Sequence, residues 1–300
     1  MGDLLPLVVA MTAAGYLMRR LGVVRAEAAK DLNQVVFYVT LPPLTFAALH
    51  KADLSWSLLV MPATAWALTA VGTGLGLFVG RALKLPRPAA GALAIAMAFG
   101  NTTFFGYPVV ESFYGAPGLT LAIFYDLLGA TVATNTLGVF VASAYGGERP
   151  SEVKALVRRL LTFPAIWALG LGLALHGAPL PTSVEGVLTR IGALTSPLIM
   201  LSIGLQLRFE GWREDLPLVA LASAVRLLLL PALVLLALTA LGLSAEYRRV
   251  AVMQAAMPTM FFSLTLAMVF GLRANLAVHA IMVSTLLSFA TLPLWRLALG

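Results

Sequence analysis

Apolar residues run along this chain in long blocks, with polar residues confined to the short connections between them. Ten blocks emerge, at 4–20, 32–49, 55–80, 88–110, 118–144, 160–177, 184–206, 216–241, 248–270 and 275–297. A helix crossing the hydrocarbon of a bilayer needs about 17–25 mostly apolar residues, so each block predicts a membrane span. The first is marginal in length, while the third, fifth and eighth are long enough to tilt.

The pattern repeats. Displaced by 155 positions, Leu41-Pro42-Pro43-Leu44 falls on Ser196-Pro197-Leu198-Ile199, Leu121-Ala122-Ile123 on Leu276-Ala277-Val278, and Gly22 on Gly177. One residue of slippage brings Tyr114-Gly115 onto Phe270-Gly271. Apolar segments resemble each other by composition, but here proline, glycine and segment order agree together. Five spans in each half make the halves inverted copies, the architecture of secondary transporters whose site lies where the repeats meet. The expected organisation is a repeat over 1–145, a cytoplasmic linker over 146–158 and an inverted repeat over 159–300.

Composition agrees with a bilayer as the solvent. The chain is 60% hydrophobic and 11% charged, with mean hydropathy +0.93, against roughly 25% charge in soluble domains. The net charge of +7 would suggest nucleic acid in a soluble protein, but in a membrane protein its placement decides. With the N-terminus outside, fourteen Lys and Arg fall in inward connections and five on the outward side. The expectation is a multi-pass protein of the plasma (inner) membrane with both termini outside. The partners expected are the lipid bilayer and a small solute, with no nucleic acid. There is no cysteine, so no thiol chemistry, and no secretory leader is expected.

Two spans carry helix breakers at related positions. The fourth contains Phe99-Gly100-Asn101-Thr102-Thr103-Phe104-Phe105-Gly106-Tyr107-Pro108, and the ninth Gln254-Ala255-Ala256-Met257-Pro258-Thr259. The repeat offset places Pro258 opposite Thr103. Proline removes a helical hydrogen bond, and irregular backbone at membrane depth survives only where it lines a cavity or packs on protein. The breaks are then either packing kinks or places where freed carbonyls and half-helix ends face a substrate. Two breaks at equivalent positions, one beside Gly-Asn-Thr-Thr, favour a site.

At these residues the chain resembles the auxin efflux carrier family, which includes the plant auxin carriers and bacterial organic-anion permeases. The run from Gly100 to Pro108 followed by Tyr114-Gly115 is similar to that family's fourth-helix motif. Three further stretches match in order: Asn33 to Leu44, Arg226 to Pro231, and Ala256 to Thr259. The resemblance implies an all-α fold of ten transmembrane helices in two inverted five-helix repeats, with broken helices 4 and 9 crossed, as in NhaA and the bile-acid symporters. It also implies a scaffold from the first, second, sixth and seventh helices, a mobile bundle from the rest, and elevator-type movement of small organic anions. Asn101 and Thr102 match the Asn-Thr pair that lies beside the carboxylate substrate in the plant carriers, and Pro258 matches their ninth-helix proline. Gly100 stands where those carriers have proline, so a softer bend is implied. Their long central loop is absent. The scaffold helices are where a homodimer would form.

Charges inside spans carry the remaining chemistry, because mid-membrane ionisable groups are costly. Arg226 is open to three readings: a counter-charge for an anion, a lock between parts, or a donor to free carbonyls at the crossover. Asp126, the acid placed well inside a span, could carry a proton, pair with Arg226, bind a cation, or reach the outer interface. Gln254 is neutral where bile-acid symporters use a carboxylate for sodium; it joins Asp126 as a candidate for proton or ion coupling. The substrate-binding candidates are Asn101, Thr102, Thr103, Pro258, Thr259, Arg226 and Asn135. The other buried polar residues read as helix–helix hydrogen bonds, Gly72, Gly76 and Gly80 as a packing stripe, and His279, with no neighbouring ligand, as structural. Intramembrane proteases are excluded by the absence of a Gly-x-Ser-Gly serine, a second mid-membrane aspartate and a His-Glu-x-x-His zinc motif. No cofactor or metal is expected. A secondary carrier for carboxylates is the reading, with a non-transporting receptor on the same fold as the alternative.

Overall fold

The computed structural model describes residues 4–25, 27–52, 55–147, 158, 162–206 and 215–300. Most of the expected linker, with Arg149 and Lys154, lies outside the described residues, as do Arg159, Arg208 and Arg213 of the charge count. Among the described residues every regular element is a helix, apart from one isolated β-bridge, and the long fifth-span helix is interrupted at Gly115, with φ 66° and ψ −163°. We label the helices α1 Leu4–Arg20, α2 Ala28–His50, α3 Ser57–Ala82, α4 Arg87–Ala98, α5 Gly106–Gly146, α6 Pro164–Ala174, α7 Thr182–Gln206, α8 Leu216–Ala240, α9 Ala245–Ala255, α10 Phe262–Val269 and α11 Ala274–Leu299.

Six of these, α2, α3, α5, α7, α8 and α11, are long and apolar enough to cross a membrane. They fall on the expected second, third, fifth, seventh, eighth and tenth spans. The other four expected spans are not single helices of that length, each for a visible reason. The fourth and ninth are divided by their breakers into α4 plus the start of α5, and α9 plus α10. The first and sixth appear as the 17-residue α1 and the 11-residue α6.

Two compact units divide the chain. The first comprises Met1–Trp56, Thr103–Ile123 and Arg159–Arg208; the second comprises Ser57–Thr102, Phe124–Arg158 and Phe209–Gly300. The first therefore holds α1, α2, α6 and α7 with the start of α5, and the second holds α3, α4, the rest of α5 and α8–α11.

Small residues let helices approach closely where no water is available to drive burial. In the first unit Gly15 of α1 faces Gly204 of α7. A Cβ on Gly204 would overlap the Thr12 carbonyl and sit 2.8 Å from Tyr16 N. Beside this contact Ser202 Oγ donates to Asn33 Oδ1 at 2.6 Å, joining α7 to α2. In the second unit the glycine stripe of α3 packs along α4. A Cβ would lie 2.8 Å from Ala98 Cα at Gly72, 3.0 Å from Ala94 N at Gly76 and 2.7 Å from Ala90 Cβ at Gly80. This stripe is thus the seat of the first half of the broken fourth span.

One cap geometry recurs along the chain. A residue with positive φ follows the helix end, and the next N–H reaches back five residues, the Schellman arrangement that satisfies otherwise orphaned carbonyls. It occurs at Gly22 (Val23 N to Met18 O, 2.9 Å), Lys84 (Leu85 N to Gly80 O, 2.9 Å), Gly242 (Leu243 N to Leu238 O, 3.1 Å) and Gly271 (Leu272 N to Ala267 O, 2.8 Å). Lys84 and Gly242 are 158 positions apart and carry φ of 52° and 67°. Gly115 and Gly271, paired from the sequence, carry φ of 66° and 71°.

Gly204→Ala should overpack α1 against α7 and cost about 1–3 kcal/mol. Gly170→Ala, where a Cβ meets nothing within 4 Å, should be neutral. Thermal midpoints of the two purified variants in detergent decide this.

Candidate functional site

The two broken spans meet within the second unit. Helix α4 ends at Ala98, and Phe99 turns extended, with φ −104° and ψ 112°. Helix α9 ends at Ala255, with Pro258 three residues beyond. Between the ends, Gly100 and Thr259 form an antiparallel bridge. Asn101 N donates to Pro258 O at 2.7 Å, and Met260 N donates to Phe99 O at 3.0 Å. Unwound backbone from each segment thus satisfies the other, which is what a hydrocarbon environment requires.

Thr259 fastens this crossing on both sides. Its backbone N–H donates to Ser284 Oγ of α11 at 3.0 Å, and its hydroxyl donates to the Ala96 carbonyl of α4 at 2.9 Å. The residue is fully buried. Ser284 in turn donates to Ala280 O at 2.6 Å.

Arg226 closes the carbonyl ends. It projects from a widened, π-helical turn of α8, Val225–Leu229, and only 1% of its surface is exposed. Its Nε donates to Met257 O at 2.9 Å and its Nη1 to Ala98 O at 3.0 Å. Helix C-termini carry negative partial charge, and one guanidinium here serves the ends of both α4 and α9. Of the readings left open for Arg226, the donor to free carbonyls is the one this geometry carries. Gly100 makes it feasible, since a Cβ there would overlap the guanidinium, 2.6 Å from Cζ and 2.9 Å from Nε. The glycine at this point therefore does more than soften a bend: it makes room for the cation.

Asp126 lies in another π-helical turn, Tyr125–Ala130 of α5. It is buried, with 1% of its surface exposed. Its Oδ1 accepts from Thr102 Oγ1 at 2.6 Å and from Thr131 Oγ1 at 3.3 Å. Span 3 packs beside this turn, with Pro62 and Ala65 against Gly129, and brings no ionisable group between Val60 and Gly80. Charge-assisted bonds of this kind orient the hydroxyl firmly, so Asp126 fixes Thr102 next to Asn101.

The second unit therefore brings together Asn101, Thr102, Pro258, Thr259, Arg226 and Asp126, with Asn101 3% and Thr102 4% exposed. Gln254 is fully buried in the last turn of α9. Two candidates stand apart. Thr103 belongs to the other compact unit. Asn135 turns back on its own helix, its Nδ2 donating to Thr131 O at 2.8 Å. Its neighbour Thr134 meets the break instead, with Oγ1 3.7 Å from Met260 Sδ. Sequence reasoning also missed Ser284, read as one helix–helix hydrogen bond among several. One position, about 100° of helical rotation, separates Thr134 from Asn135, and composition carries no signal for it.

A family model described as membrane transport protein matches residues 1–296. The chain belongs to this family of auxin efflux carrier-like transporters. A protein named as an uncharacterized transporter in Methanothermobacter thermautotrophicus is 33% identical over 295 residues, 97% of this chain and 96% of its own. Transporters so named in Methanocaldococcus jannaschii and Escherichia coli K12 are 28% and 27% identical, each aligned over 98% of this chain and over 97% and 96% of their own length respectively. The protein is a transporter integral to a membrane.

Gly100→Ala and Arg226→Gln should each break the pinned crossing, with a loss of roughly 3–5 kcal/mol as for other disrupted buried charges. Gly74→Ala, where a Cβ meets nothing within 4 Å, should leave the thermal midpoint unchanged. A stable Gly100→Ala protein would sever the link between that glycine and Arg226.

Proposed function

We propose that this transporter moves small organic anions, carboxylates of the auxin or dicarboxylate type, by an elevator-type alternating-access cycle. The observation that carries the reading is the buried crossing of two interrupted segments, with Asn101 and Thr102 held beside it. Helix N-termini favour anions, and α10 starts two residues beyond Met260. In this reading Asn101, Thr102, Pro258 and Thr259 meet the substrate, and Asn135 lies at the margin. Arg226 shapes the site by holding its carbonyl side, and Asp126 with Gln254 is where a coupling ion would act.

The elevator rests on a division of labour, and two features support it. One compact unit collects the helices of the expected first, second, sixth and seventh spans, the grouping that the family resemblance assigns to the scaffold. The caps at Lys84 and Gly242, and the positive-φ glycines at 115 and 271, recur at nearly the repeat offset. They support ten spans in two inverted five-span repeats, with α1 and α6 as the short first spans. Both termini then lie outside the plasma membrane.

Proteoliposomes decide between carrier, channel and receptor. A thermal-shift screen of carboxylates, with and without sodium and at two pH values, finds the ligand. Counterflow of labelled against unlabelled ligand is expected for the carrier. Downhill flux without exchange would make it a channel, and binding without flux a receptor. Asn101→Ala should abolish counterflow while keeping the wild-type thermal midpoint; undiminished exchange would remove Asn101 from the site.

A further inference from the structure

A buried charge cluster lies away from the crossing, in the second unit. Asp215 precedes the first turn of α8, where an aspartate commonly caps its own helix. It makes no such cap. Its carboxylate turns instead to two cationic groups: Oδ1 is 2.6 Å from Nη2 of Arg273, and Oδ2 is 2.9 Å from Nδ1 of His279. The Asp215 side chain is 2% exposed, His279 8% and Arg273 44%. His279 therefore has a ligand, contrary to the expectation from sequence. An ionised carboxylate only accepts, so Nδ1 carries a hydrogen and Nε2 is the open basic nitrogen.

Arg273 ends the Gly271-Leu272-Arg273 connection between α10 and α11, and its backbone N–H donates to Pro88 O in the first turn of α4 at 3.2 Å. The cluster thus ties four helices: α8 through Asp215, α11 through His279, and α10 and α4 through the Arg273 connection. Among the described residues, few other charges face it. Helix α8 offers none before Arg226, which is held by the crossing carbonyls, and α10 offers none. Helix α11 has no other ionisable group until Arg296. Arg87 of α4 is engaged with Ala144 O and stands 5.6 Å over the Tyr145 ring. The segment before Asp215 carries Arg208, Glu210, Arg213 and Glu214 in sequence and lies outside the described residues.

We propose that His279 and Asp215 form a proton-binding site that releases the Arg273 connection when it is loaded. A proton arriving at Nε2 turns the imidazole into an imidazolium, and one buried carboxylate then faces two full positive charges. Histidine is the side chain suited to such a change near neutrality. The buried imidazolium has no water to turn to and keeps its carboxylate oxygen. Arg273, nearly half exposed, exchanges its ion pair for solvent. The connection slackens, and with it the hold on the first turn of α4 and the last turn of α10. Both helices lead to the crossing, so acidification on this side would act on the site without touching it.

The test needs no substrate. Hydrogen exchange of the full-length protein in detergent, corrected for intrinsic rates, is compared at about pH 7.5 and pH 5.5. Amides of 271–276 in the wild type should exchange about fivefold or more faster at the lower pH, as expected for a locally opened segment. His279→Gln should show the slow rate at both pH values, and Asp215→Asn the fast rate at both. Arg273→Gln, a change at a half-exposed side chain, should also be fast at both and serves if Asp215→Asn does not fold. An acid response that persists in His279→Gln, or its absence from the wild type, overturns the proposal.

Discussion

One guanidinium holds the core of the second unit. Breaking two helices inside an apolar environment leaves carbonyls that nothing in the hydrocarbon can satisfy. Arg226 satisfies one from each break, Ala98 and Met257. A buried cation would itself be costly without partners, so breaks and cation each make the other tolerable. The bridge between Gly100 and Thr259 supplies two further backbone bonds. A side chain at position 100 would exclude the cation. The small residue, the charge and the two interruptions therefore form one unit of design, in which no member can change alone.

The polar groups near the crossing share a backbone device. Arg226, Asp126 and Asn135 all lie in π-helical turns, Val225–Leu229, Tyr125–Ala130 and Thr134–Gly138. Such widened turns recur at functional sites, because the extra residue shifts the phase of the helix and redirects a side chain. Hydroxyls then complete the arrangement: Thr102 and Thr131 on Asp126, and Thr134 on its own helix and toward Met260. Each extra residue in a π turn also rotates every side chain beyond it relative to regular helical spacing.

Much of the architecture was legible in the amino-acid pattern. Apolar blocks located five of the six long helices to within a few residues, because a bilayer leaves hydropathy little freedom, and the block 118–144 matches the part of α5 beyond its interruption at Gly115. Glycine and proline located the breaks in the fourth and ninth spans for the same reason. What was not legible is pairing at long range. Arg226 finds partners 31 and 128 positions away, and His279 finds Asp215 at a separation of 64. Neither distance leaves a periodic trace. The first block, 4–20, coincides with α1, whereas the sixth, 160–177, is longer than α6, which starts at Pro164 and ends at Ala174.

Thr259 is fastened at its amide, its hydroxyl and its backbone bridge, to three separate partners. A binding surface built on such a residue is complete before any ligand arrives. Association then needs no folding of a loop and loses little conformational entropy. In the proposed carrier the same stiffness would limit tolerance: a molecule one methylene too long would meet a wall that cannot yield, and selectivity would come from shape set in advance rather than from adjustment around the guest.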